Sequence, residues 1–352
     1  MNIPYRTRQA LKRLVVAVFV IALATALLWL CWVLWLGRFV VYTREGAVID
    51  MDRSSADLSG VLAEPPQDGS GVKIYYNEGD NTINTSTELS HVIGYYIDQR
   101  MLEMEMDSIR GQIEALPRGT PVMIDLKNSA GSFFYNSSVS RRRQSSIDTA
   151  KVDELIAFLD KSGMYTIARV ASLRDYEFGL NNVPCGIHHT SLMYLWQDDG
   201  GCYWLDPTKQ GTMTYLTSIA NELKAKGFDE VVFSEFRIPT AEKAVFQGDR
   251  IAALQTAAQA LISTCGSDSF AVSFAAPLGF MLPQGNSRLY VEDAEPAEAE
   301  TIAQTVLDNA GVTDTTVELV FITALHDTRF DEYGVLRPLS AADAVQTDNK
   351  NP

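Results

Sequence analysis

The sequence predicts an α/β chain, a (β/α)8 TIM-type barrel preceded by one transmembrane helix. Three observations point there. Short apolar strands alternate with amphipathic helices from about residue 90 onward. Polar residues recur at the carboxyl ends of successive strands: Asp125 and Lys127, then Arg169, then Glu235 and Arg237. Near the N-terminus, Leu14 to Leu36 runs without a single charged residue.

The apolar run is long enough to cross a bilayer, since as a helix it spans roughly 34 Å. Arg6, Arg8, Lys12 and Arg13 precede it, whereas only Arg38 and Arg44 follow closely. That bias places the N-terminus in the cytoplasm and the rest of the chain outside, as a single-pass protein of the cell membrane. Trp29, Trp32 and Trp35 fall where an interfacial aromatic belt would lie. A cleaved signal peptide is the competing reading, with Ala22-Leu23-Ala24 as its small-residue site. The apolar run continues well beyond that point, which favours an uncleaved anchor.

Residues 1–13 therefore read as a cytoplasmic basic tail, 14–36 as the anchor and 37–84 as a stalk, rich in Pro, Gly and Ser around Pro65-Pro66 and Gly69-Ser70-Gly71. Residues 85–340 form the barrel and 341–352 a polar tail.

Within the barrel segment the strands read as His91–Ile97, Pro121–Leu126, Tyr165–Ala171, Glu230–Phe233, Phe270–Phe274 and Val317–Thr323. Helices with apolar residues at helical spacing read as Glu103–Leu116, Lys151–Lys161, Gly211–Lys226, Asp249–Thr264 and Glu298–Asn309. Gly227 and Gly311 are C-terminal stops. Continuous apolar strands of this kind belong to a parallel sheet covered on both faces. An open doubly wound sheet is the alternative. No G-x-G-x-x-G follows the first strand and no Walker loop is present, so no nucleotide cofactor is expected.

The composition is that of a globular protein, 46% hydrophobic and 21% charged, with a formal net charge of −15. Such acidity repels phosphates and argues against a nucleic-acid partner. Cysteines and histidines show no metal-type spacing, so no metal is expected. Cys185 and Cys202 flank one loop; a disulfide and a pair of free thiols both remain open.

Three segments carry the candidate chemistry: I-D-L-K-N-S-A-G-S-F-F-Y (124–135), Y-T-I-A-R-V (165–170), and the stretch from Trp204-Leu205-Asp206-Pro207 through G-F-D-E-V-V-F-S-E-F-R-I-P. In this order they resemble a bacterial family of uncharacterised glycoside-hydrolase-type proteins, distantly similar to α-amylase-type barrels. The resemblance covers roughly residues 90–280. It implies a carbohydrate substrate and places Asp125, Lys127, Gly131, Tyr135, Arg169, Trp204, Asp206, Pro207, Arg237 and Pro239 on matching motif positions. The sequence departs from the pattern at Ser234, where the family carries the Asp that the analogy makes the nucleophile. A second departure follows: F-A-V-S-F-A-A-P-L-G offers only Ser273 and Ala275 where a further acid is usual.

Glycoside hydrolysis normally takes two carboxyl groups flanking one bond, so these departures matter. Glu235 replaces the missing Asp if the chain turns after Ser234, because along a regular strand the two side chains face opposite ways. Asp125 and Asp175 are its candidate partners. Lys127, Tyr135, Arg169, Trp204, Asp206, Ser234 and Arg237 are candidate substrate contacts. The reading splits into an active hydrolase and a non-catalytic barrel that binds glycan. Two carboxylates roughly 5–10 Å apart in an open cleft favour the first. A lone acid locked to Arg169 or Arg237 favours the second, or a structural ion pair. Trp204-Leu205-Asp206-Pro207 is equally readable as a helix start. Tyr194, Trp196 and Tyr203 are readable as a sugar-stacking platform or as packing.

Overall fold

The computed structural model describes residues 40–43, 46–49, 89–191, 193–309 and 311–339. The chain divides into two compact units, Met1–Asn81 and Thr82–Pro352. In the first, within the segment read as a stalk, Val40–Thr43 pairs antiparallel with Gly46–Ile49. The apolar run 14–36 and the tail 341–352 lie outside the described residues, and no helix among those described is long and apolar enough to cross a membrane.

The second unit is a closed barrel of eight parallel strands. In chain order they are β1 (Ile93–Ile97), β2 (Pro121–Lys127), β3 (Tyr165–Ala171), β4 (Glu230–Ser234), β5 (Ala271–Phe274), β6 (Leu289–Glu292), β7 (Leu319–Ile322) and β8 (Gly334–Pro338). Each pairs with its sequence neighbours, and β8 closes against β1. The expected barrel is therefore present. Sequence reading missed β6 and β8. Both are too short for their periodicity to stand out, and β8 is bounded by Gly334 and Pro338.

The expected helix 103–116 is two helices, α1 (Gln99–Met104) and α2 (Met106–Glu114), separated at Glu105, whose backbone leaves the helical region. The others are α3 (Thr149–Ser162), α4 (Tyr176–Asn181), α5 (Gln210–Ala225), α6 (Arg250–Cys265), α7 (Ala299–Asn309) and the single turn α8 (Thr315–Glu318). That turn takes the first residues of the expected strand 317–323. Aspartates start several of these helices: Asp148 accepts from the N–H groups of Ala150 and Lys151, and Asp249 from that of Ala252. On α5, Thr212, Tyr215, Leu216, Ile219, Ala220 and Leu223 recur at helical spacing and are buried. A fully buried Leu or Ile on such a face contributes about 1.5–3 kcal/mol. No helix joins β5 to β6. The connection holds Pro277, Gly279, Pro283 and Gly285, which oppose helix formation.

Because side chains alternate along a strand, every second residue enters the barrel. Met123, Ile167, Val232, Tyr290, Val320 and Leu336 fill its middle as one apolar cluster with Val92. Beneath them lies a fully buried ion pair between Glu230 and Arg288. Tyr165 and Tyr290 donate their hydroxyls to Glu230 at 2.9 and 3.0 Å. Arg288 also donates to the Ser90 and Val317 carbonyls at 3.0 and 3.1 Å. Burial and then the Glu230 charge push both tyrosine hydroxyls above their ordinary range, so they stay protonated donors.

Removing one member leaves an uncompensated charge in the barrel floor. Arg288→Leu is expected to cost about 3–5 kcal/mol of unfolding free energy, read by urea denaturation. A loss under about 1 kcal/mol would mean the floor does not depend on this pair.

Candidate active site at the carboxyl face

Above the apolar middle, the lumen ends in a layer made of Asp125 (β2), Arg169 (β3), Ser234 (β4), Ala275 beyond β5 and Glu292 (β6). Asp125 and Arg169 stand directly opposite each other in the β2–β3 register. Arg169 Nη1 donates to Asp125 Oδ1 at 2.9 Å, while its Nε and Nη2 donate to Glu292 Oε1 at 3.0 and 2.9 Å. One arginine thus bridges two acids. Burial raises the Asp125 carboxyl, against the opposing charge and hydrogen bond of Arg169. Burial disfavours the Arg169 charge, but Asp125 and Glu292 overcome it and hold the guanidinium protonated.

Lys127 does not join this layer. The register shifts between Asp125 and Lys127, a bulge that pairs Lys127 with Val170 and turns its side chain out of the lumen. Its Nζ donates to the Ala171 carbonyl at 2.6 Å and lies 2.8 Å from Asp175 Oδ2, both side chains fully buried. Asp175 accepts in addition from the Phe178 N–H at 2.8 Å, capping α4, and from the Tyr215 hydroxyl at 2.9 Å. Asp175 is a buried framework carboxylate, taken up by Lys127, the Phe178 N–H and Tyr215. Gly131 passes over it with φ 78°; a Cβ there would sit 2.5 Å from Asp175 Oδ1, which accounts for the glycine. Tyr135 is likewise buried away from the lumen, donating to Glu222 at 2.7 Å.

The turn after Ser234 is the one on which Glu235 depends. Ser234 follows the inward alternation, and its carbonyl accepts from the Ser172 N–H and hydroxyl at 2.9 and 2.6 Å. Glu235 then takes a left-handed backbone with φ 53°, unusual for a residue with a side chain. This takes it off the strand's alternation and onto the carboxyl face, where Arg237 Nε lies 3.2 Å from Oε2 and Arg174 Nη1 3.8 Å from Oε1. Asp293, after β6, repeats the device with φ 56°.

A cleft of about 740 Å³ opens over β4, β5 and β6. Glu235 and Arg237 line one wall, Ala275 and Pro277 the floor side, and Glu292, Asp293 and Glu298 the other. Two acids from alternate strands, Glu235 and Glu292, therefore open into one hollow. Sequence reading missed Glu292, Asp293 and Glu298. The signal was available: L-Y-V-E-D has the same form as V-V-F-S-E, a short apolar strand ending in acid.

Trp204 is buried, donating Nε1–H to Asp198 at 3.0 Å, and Arg237 lies over its ring at 4.8 Å. Asp206 accepts from the N–H and hydroxyl of Thr208 at 2.9 and 2.7 Å, organising the turn that leads into α5. The proposed aromatic platform is not one surface: Tyr203 stacks on Tyr176, Tyr194 on His189, and Trp196 packs on the core. Cys185 and Cys202 are free thiols. Among the described residues no group of His, Cys, Asp and Glu is arranged to hold a metal.

Residues 106–264 match a family model described as "Putative glycosyl hydrolase domain". Among solved structures, a hypothetical protein from Ruminiclostridium thermocellum ATCC 27405 aligns at 17% identity and TM-score 0.44, over 53% of this chain and 97% of that one. The α-galactosidase of Lactobacillus brevis aligns at 12% identity and TM-score 0.47, over 75% of this chain. That of Thermus thermophilus aligns at 12% and 0.46, over 74%. The chain spans 40% and 62% of the lengths of these two enzymes. No curated protein matches the chain. The family match runs from α2 through α6 and includes Glu235 and Arg237, which line one wall of the cleft.

Proposed function

We propose that this protein is a glycoside hydrolase acting on a cell-envelope or surface polysaccharide, with Glu235 and Glu292 as the carboxyl pair. One observation carries the reading: both acids open into the same cleft at the carboxyl ends of β4 and β6. Hydrolysis of a glycosidic bond takes one carboxylic acid to protonate the leaving oxygen and one carboxylate to act as nucleophile or to activate water. Asp125 has a supporting part, since Arg169 holds it and ties it to Glu292. Ser234 supplies a hydroxyl where the resembled family has an acid, and the left-handed turn supplies Glu235 one residue later. The Leu14–Leu36 run tethers the barrel to the outer face of the cell membrane in this reading, which supports a substrate within reach of the surface.

A second reading, glycan binding without turnover, draws on the salt-bridged state of the acids: Glu235 lies between two arginines and Glu292 on Arg169. Incubation of the full-length protein with a panel of glycans separates the two by release of reducing ends. Hydrolysis predicts release by the parent and a fall of about 10²- to 10⁴-fold in Glu292→Gln and in Glu235→Gln. Retention of a glycan without release by the parent would select the binding reading. Release at the parental rate by Glu235→Gln would remove Glu235 from the mechanism.

Asp175→Asn is expected to behave differently. It strands Lys127 in a buried site and should lower stability by about 3–5 kcal/mol, seen in urea denaturation. Loss of turnover at parental stability would instead put Asp175 in the chemistry.

A further inference from the structure

Glu235 belongs to a closed ring of five side chains from three segments of the carboxyl face. Arg174 Nη1 lies 3.8 Å from Glu235 Oε1, and Arg237 Nε 3.2 Å from Oε2. Arg174 Nε donates to Asp198 Oδ2 at 2.6 Å. The same Asp198 oxygen accepts the Trp204 Nε1–H at 3.0 Å. The Arg237 guanidinium rests over the Trp204 ring, 4.8 Å from its centre, and so closes the ring. Asp198 is itself fixed by the Cys202 N–H, which donates to Oδ1 at 2.9 Å. Its loop closes tightly on Arg174: a Cβ on Gly200 would sit 2.5 Å from Arg174 Nη2.

The ring is asymmetric. Arg174 is within hydrogen-bonding distance of Asp198 and beyond it from Glu235. We infer that Asp198 is a positioning residue for Glu235: it holds Arg174 at a stand-off, so that Glu235 keeps a carboxylate edge open to the cleft instead of closing into a tight ion pair. The inference rests on the reading of Glu235 as a cleft carboxylate that acts on substrate. The second cation, Arg237, stays hydrogen-bonded to the other oxygen, Glu235 Oε2, at 3.2 Å while its guanidinium lies over the Trp204 ring. Burial works against the Asp198 charge, but the hydrogen bonds from Arg174, Cys202 and Trp204 hold its carboxyl at about 2, so it remains an anion at any working pH. The ionisable groups around Glu235 are Arg174, Arg237 and the Cys202 thiol, with Glu292, Asp293 and Glu298 along the cleft.

The test needs no glycan. The full-length protein is treated at mildly acidic pH with a water-soluble carbodiimide and an amine, and modification of Glu235 and Glu292 is followed by peptide mass spectrometry. Carbodiimide adds to the protonated carboxyl, so a carboxylate paired more tightly with a cation reacts more slowly. Asp198→Asn releases Arg174 toward Glu235 and removes a nearby anion. Modification of Glu235 should slow about threefold, while Glu292 on Arg169 keeps its rate. Arg174→Gln removes the cation itself and should speed Glu235 modification by about the same factor. Asp198→Glu keeps the charge and should restore the parental rate. Opposite signs in Asp198→Asn and Arg174→Gln are the signature. Mere loosening of the loop would speed both. An unchanged or faster rate in Asp198→Asn overturns the inference, and so does a slower rate in Arg174→Gln. Circular dichroism checks folding, and Arg174→Gln alone decides the sign if Asp198→Asn does not fold. A protein that cleaves no glycan still gives this readout, so failure of the hydrolase reading and failure of the inference are separable.

Discussion

Closure of eight parallel strands imposes a strict two-residue alternation, and the carboxyl face follows from where the chain keeps that alternation and where it breaks it. Kept, it stacks Glu230, Val232 and Ser234 inward on β4 and sets Asp125 opposite Arg169 across β2 and β3. It is broken at two places near the mouth. The bulge at the end of β2 ejects Lys127 into the wall, where Asp175 takes it up. The left-handed residue after β4 redirects Glu235 to the cleft. Backbone conformations of this kind cost of order 1–3 kcal/mol and persist only where the surroundings enforce them. Here the ion pairs to Arg174 and Arg237 stand around the strained residue.

The acids of the carboxyl half consequently serve different ends. Asp175 is sealed in the framework with Lys127 and Tyr215. Asp125 is tied to Arg169 with little access to solvent. Glu235 and Glu292 reach the open hollow, each leaning on a cation that compensates its charge without enclosing it. A carboxylate compensated in this way can be presented at a mouth that already carries Asp293 and Glu298 without severe mutual repulsion. Four acids, Glu235, Glu292, Asp293 and Glu298, therefore line the cleft over β4 to β6.

Much of the barrel was legible in the sequence because its strands are continuously apolar and its helices strongly periodic. Tyr165–Ala171 and the helices 149–162, 210–225 and 250–265 fall within a residue or two of expectation. β6 and β8 were not, since a run such as Leu-Tyr-Val-Glu carries too little periodicity to separate a strand from a loop. The site suffered from the same blindness: with β6 unseen, Glu292 had no address. Asp125 and Arg169 were legible as polar strand-end residues, and the structure pairs them at the mouth. Lys127 sits in the wall with Asp175 because a one-residue bulge in β2, which reverses the side a residue faces, leaves no mark in composition. The turn that frees Glu235 was foreseeable only as an alternative, since φ 53° at a glutamate has no propensity signature.

The account stands on Glu235 and Glu292 flanking one bound sugar. The most direct measurement is a crystal structure of the protein soaked with the glycan that the panel selects. The account predicts a sugar ring seated between the two carboxyls, which lie roughly 5–10 Å apart with an oxygen of each directed at the glycosidic bond. A sugar bound elsewhere on the barrel, with both acids still closed on their arginines, would contradict it.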